Sequence, residues 1–113
     1  MRVLFDQGIP APLRRNLSEH EVATAHELGW SGLSNGDLLR EAELQFDLFI
    51  TTDQNLGYQQ NLVGRRLAIL VLPTTSWPII RQRCPEIIAA VASMQPGQFV
   101  ELQFDDTQPP EPE

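Results

Sequence analysis

Two aspartates each end a short apolar run. Val3-Leu4-Phe5 runs into Asp6, and Leu48-Phe49-Ile50-Thr51-Thr52 runs into Asp53. A third, Asp37, follows Ser34-Asn35-Gly36, which punctuates a helix start. Carboxylates brought together from separate elements repel one another, and a hard cation relieves the repulsion. Magnesium or manganese takes oxygen ligands, keeps several waters and needs only two or three converging carboxylates. Such an ion polarises a phosphoryl oxygen and acidifies a bound water, so phosphodiester hydrolysis is the chemistry this set fits best. Asp6, Asp37 and Asp53 are therefore the candidate catalytic and metal-ligating residues. Taken singly, an aspartate after a strand is a turn residue and one in a first helical turn is a capping or dipole-matching residue. The pair Asp6 and Asp53 points further, because both follow buried strands.

The elements that must position these acids read as strands alternating with helices. Strands are expected at 3–5, 21–25, 48–52, 67–72 and 98–104. Leu67 to Leu72 is apolar on both faces, so it is expected inside the sheet. Helices are expected at 11–17, from Gly36 towards Phe46, over 55–62, and from Trp77 to about Met94, with Pro85 kinking or dividing the last. This alternation predicts an α/β fold, a three-layer α/β/α sandwich with a mostly parallel sheet. Its carboxyl edge is where ligands bind.

At 113 residues the chain reads as one domain over 1–104. Residues 105–113 form an acidic tail with Pro109-Pro110 and no apolar side chain, expected to be disordered. The formal charge is −7, and about −3 without the four acids of the tail. That balance excludes coating nucleic acid by bulk charge, though not local contact with phosphates. Every basic residue is arginine, which excludes a P-loop lysine and the lysine of phosphoacceptor domains. The one cysteine, Cys84, excludes an internal disulfide and a multi-cysteine zinc site, and falls on an apolar helix face. No apolar run is long enough to span a bilayer and Met1-Arg2 leads directly into a strand, so a cytoplasmic protein with no membrane partner is expected.

Secondary candidates surround the acids. Thr52, Gln54 and Asn55 flank Asp53 and have groups able to hold a phosphate or a water. Arg14, Arg65 and Arg66, with Arg15, Arg81 and Arg83, are the basic residues able to grip phosphate through a planar fork. Trp30, Tyr58 and Trp77 are possible base-stacking residues. Trp77 with Ile79-Ile80 is the expected apolar surface of a homodimer.

The opening Val3-Leu4-Phe5-Asp6-Gln7-Gly8-Ile9-Pro10 resembles that of bacterial PIN-like proteins, related to PIN-domain nucleases and VapC-type toxins. The likeness continues through His20-Glu21-Val22, Leu28-Gly29 and Asn35-Gly36-Asp37-Leu38-Leu39 to Ile50-Thr51-Thr52-Asp53-Gln54-Asn55-Leu56. It covers residues 1 to about 72. The resemblance implies a PIN-like fold and a Mg²⁺- or Mn²⁺-dependent endoribonuclease site on Asp6, Asp37 and Asp53. It also implies RNA as substrate and a toxin's role beside an antitoxin protein. The chain departs from the pattern at Gln7-Gly8 and at Asn55, where relatives commonly carry further acids. The competing reading is a catalytically inactive PIN-like interaction module. Removal of 105–113 is expected to leave the melting temperature unchanged; a large fall in a thermal melt would show that the tail is packed.

Overall fold

In the structure, a computed structural model, residues 1–56 and 65–104 are described. Strands β1 (Arg2–Phe5), β2 (Glu21–Thr24), β3 (Leu48–Thr51), β4 (Ala68–Val71) and β5 (Phe99–Glu101) form one sheet in the order β2-β1-β3-β4-β5. Every pairing is parallel, so all carboxyl ends share one edge. The chain winds outward from β1 to β2, then returns past β1 to build β3, β4 and β5. The reversal puts the sheet's topological switch point between β1 and β3, the place where such sheets open a crevice.

Burial follows sheet position. All four residues of β3 and of β4 are buried, whereas the outer strands β2 and β5 are at best half-buried. Interior parallel strands are covered on both faces and must be apolar throughout. Leu67–Leu72 accordingly lies inside, with β4 between β3 and β5.

Alternation along the strands separates two cores. Val3, Phe5, Leu48, Ile50 and Leu70 meet helix α1 (Leu13–Asn16) and helices α3 (Trp77–Gln82) and α4 (Cys84–Ser93). Leu4, Phe49 and Ile69 meet Leu38, Leu39 and Ala42 of helix α2 (Asn35–Gln45). The period of two sends successive strand residues to opposite faces, so short apolar strands feed both layers. Helices on both faces make the fold a three-layer α/β arrangement. Among the described residues no helix is long and apolar enough to cross a membrane.

Of the two outcomes expected at Pro85, a kink or a division, the structure has the division: the stretch forms two helices, α3 and α4, and Pro85 lies in the first turn of the second. Proline there needs no N–H partner, while in a continuous helix its ring would meet a carbonyl of the preceding turn. Helix α1 is a single turn within the expected 11–17. The proposed dimer surface loses its centre. Ile80 is fully buried and Trp77 packs against the core, leaving Ile79 exposed. Helical spacing turns 77 and 80 inward together in α3. Of the helix expected over 55–62, residues 57–64, Tyr58 among them, lie outside the described residues. The tail 105–113 lies outside them too.

The entry to β5 depends on Gly97. It has φ +76°, its N–H donates to the Arg66 carbonyl at 2.7 Å, and an added Cβ would lie 2.7 Å from the Arg65 carbonyl oxygen. Gly97→Ala is expected to cost at least about 1–2 kcal/mol from the left-handed backbone alone. Gly32→Ala, with open space around it, is the matched control. Urea titration of both variants measures the difference.

Candidate functional site

The register of β1 on β3 builds the site. Phe5 pairs with Ile50, so Asp6 falls beside Thr51, and the Asp6 N–H donates to the Ile50 carbonyl at 2.9 Å. The Thr51 hydroxyl donates to Asp6 Oδ2 at 2.7 Å and accepts from the Asp53 N–H at 3.1 Å. One hydroxyl thus joins both aspartates through hydrogen bonds. Thr51 is fully buried and is the sole buried polar side chain among the described residues. A β-branched residue suits the strand, and its hydroxyl finds a donor and an acceptor at the strand's end.

The other carboxylate oxygens are also held. Asp6 Oδ1 accepts from the Gln7 N–H at 2.8 Å, and Asp53 Oδ1 from the Asn55 N–H at 3.0 Å. Asp53 Oδ2 accepts from Asn35 Nδ2 at 3.2 Å. Both carboxylates are half-buried at the crevice between β1 and β3. An ionised carboxylate oxygen offers about two lone-pair directions, so a place for an incoming cation remains on each. Two hard oxygen donors, each pinned by N–H or O–H groups, fit Mg²⁺ or Mn²⁺, which completes its octahedron with water and substrate oxygens.

Asp37 does not join the pair. Its carboxylate forms an ion pair with Arg40 one helical turn on. Among the described residues no three His, Cys, Asp or Glu side chains gather to hold a metal ion. Helix geometry explains this. The Ser34 hydroxyl caps α2 by accepting from the Asp37 N–H at 3.2 Å, which makes Asn35 the first helical residue. Residue 37 then lies about 200° around the axis from residue 35, facing away from Asp53. Asn35 was not among the candidates read from sequence. The cap at Ser34 together with the helical period was the signal that could have found it.

The secondary candidates divide. An added Cβ at Gly8 would come within 2.5 Å of Thr52 Oγ1, so the missing side chain lets the loop after β1 close on the end of β3 beside the site. Gln54 Nε2 donates to the Leu72 carbonyl at 2.6 Å, tying the turn after β3 to the end of β4. Its amide nitrogen is therefore structural. Asn55 contributes its backbone N–H to Asp53. Arg14 bonds to Glu27 at 2.7 Å and to the Val22 carbonyl, fastening α1 against β2. Arg65 and Arg66 lie before Leu67 and β4, on the amino edge of the sheet, opposite the aspartates. Glu43 accepts from the Arg66 and Leu67 N–H groups there. A cleft of about 610 Å³, lined by Phe46, Asp47, Arg66 and Met94 among others, opens on that amino edge. It is thus separate from the carboxylate pair.

No family model matches the chain, and neither a curated protein nor a solved structure shows significant similarity to it. The features on which function can be argued are its parallel α/β architecture and the paired aspartates at the carboxyl edge.

Thr51→Val keeps the shape and removes the shared hydroxyl. It is expected to cost about 1–3 kcal/mol, because a carboxylate oxygen and an N–H both lose a buried partner. Thr51→Ser should retain most of the stability, and chemical denaturation of both variants checks the contrast. A second expectation concerns Glu27. Its carboxyl is held below the ordinary 4.5, first by the Arg14 hydrogen bond and then by the Thr24 N–H. A lowered folded value contributes stability above the unfolded value and loses it as pH falls through the folded one. Glu27→Gln should therefore melt below wild type at neutral pH. The gap should close under acid as Glu27 itself protonates.

Proposed function

We propose that this protein is a divalent-cation-dependent endoribonuclease with a PIN-like fold, and that Asp6 and Asp53 hold the cation. The observation that carries the reading is the Asp6–Thr51–Asp53 hydrogen-bond chain at the sheet's carboxyl edge, in the crevice where strand order reverses. Open parallel sheets bind ligands at that crevice.

The residues divide the work. Asp6 and Asp53 offer oxygen ligands; the Thr51 hydroxyl holds the Asp6 carboxylate and the backbone N–H of Asp53, and the Asn55 N–H holds the Asp53 carboxylate. Asn35 steadies the second oxygen of Asp53. Thr52 and Gly8 close the loop beside the site. When bound, Mg²⁺ or Mn²⁺ supplies a Lewis acid for a phosphoryl oxygen and lowers the pKa of a bound water. The choice of RNA, a toxin's role controlled by an antitoxin and a homodimeric state rest on the likeness to bacterial PIN-like proteins, and a cytoplasmic setting on the sequence pattern.

A second reading, a catalytically inactive PIN-like interaction module, is favoured by one observation. The candidate acid on α2, Asp37, is engaged with Arg40, and an amide faces Asp53 instead. Cleavage of a mixed RNA substrate with added Mn²⁺ decides between them. Asp6→Asn and Asp53→Asn are expected to lower the rate by at least about 100-fold, in keeping with loss of metal ligation and activation. Asp37→Asn should leave it near wild type. Equal cleavage by wild type, Asp6→Asn and Asp53→Asn would end the nuclease reading. No binding of Mn²⁺ or Mg²⁺, with a protein partner retained, would establish the module.

A further inference from the structure

The amide at Asn35 has a consequence beyond holding a side chain in place. Asn35 Nδ2 lies 3.2 Å from Asp53 Oδ2, and both groups are half-buried. An ionised carboxylate accepts hydrogen bonds and cannot donate one, so the amide must present its nitrogen to Asp53. Asn35 therefore brings a donor, and no negative charge, to the place where α2 reaches the site. Asp37, the acid nearest in sequence, is turned aside to Arg40.

We infer that Asn35 sets the cation affinity of this site: it positions Asp53 while withholding the third carboxylate that a tighter divalent site would use. The inference rests on the proposed Asp6–Asp53 cation site and goes beyond it by assigning the residue that tunes it. With two carboxylates, the ion depends more on ligands from outside the protein, and substrate phosphate oxygens are the class that supplies them. Cation and phosphodiester then bind cooperatively, each raising the affinity for the other by the same factor.

Asn35→Asp tests the assignment, because the residue is nearly isosteric and changes only charge and donor. Without metal it places two carboxylates face to face, so the melting temperature should fall below wild type in EDTA. Mn²⁺ titrated into the full chain by calorimetry should bind at least about tenfold more tightly than to wild type, on the scale of changes around a metal's ligands. Mn²⁺ should also restore the lost melting temperature. Asn35→Ala removes the donor without adding charge and should weaken Mn²⁺ binding relative to wild type.

The outcomes separate this inference from the reading beneath it. If wild type and Asn35→Asp bind Mn²⁺ equally, the cation site stands and the role of Asn35 falls. If Asn35→Asp binds and wild type does not, the role of Asn35 stands and the native chain is the inactive module. If neither binds, both fall. Should Asn35→Asp fail to fold, an unchanged Mn²⁺ affinity in Asn35→Ala overturns the inference, and a weakened one supports it.

Discussion

The Thr51 hydroxyl is the point at which fold and site meet. It lies on the last residue of an interior strand, with no exposure to solvent. A hydroxyl so placed must be satisfied from within, and the two groups that satisfy it are Asp6 and the backbone of Asp53. The constraint acts in both directions. The strand register brings Asp6 alongside Thr51, and the hydroxyl then fixes the Asp6 carboxylate and the backbone from which Asp53 projects.

The surrounding layers serve that register. Phe5 and Ile50 pair across β1 and β3 and point into one core, while Leu4 and Phe49 point into the other. A slip of one residue would exchange the two faces and carry Asp6 away from Thr51. Packing of apolar side chains on both faces therefore holds the alignment of the acids. Gln54 extends the same frame by linking the turn after β3 to the end of β4.

The legible parts of the sequence were those with a strong local cause. Apolar runs such as Leu48-Phe49-Ile50 and Ala68–Val71 announced interior parallel strands, and the aspartates after the first and third strands marked the carboxyl edge. Pro85 announced the break between α3 and α4. What stayed hidden depends on direction around an axis or across the sheet. Asp37 and Asn35 differ by two positions in a helix, yet one faces Arg40 and the other Asp53. Arg65 and Arg66 read as phosphate grips until strand direction puts them at the opposite edge. Ile80 lies on the apolar stripe expected to be buried, and its burial removes it from the contact surface expected with Trp77 and Ile79. Residue type alone carries none of this information.

The two aspartates and Asn35 belong to structural units of different stiffness. Asp6 and Asp53 follow adjacent, hydrogen-bonded strands, and the Asp6 N–H itself bonds to the Ile50 carbonyl, so sheet hydrogen bonds set their relation. Asn35 arrives on α2, which meets the sheet through side-chain packing. Sliding of that helix by an ångström would open the contact to Asp53 and leave the Asp6–Thr51 bond untouched. The layered architecture thus lets one helix act as a trimming screw on a fixed pair of jaws.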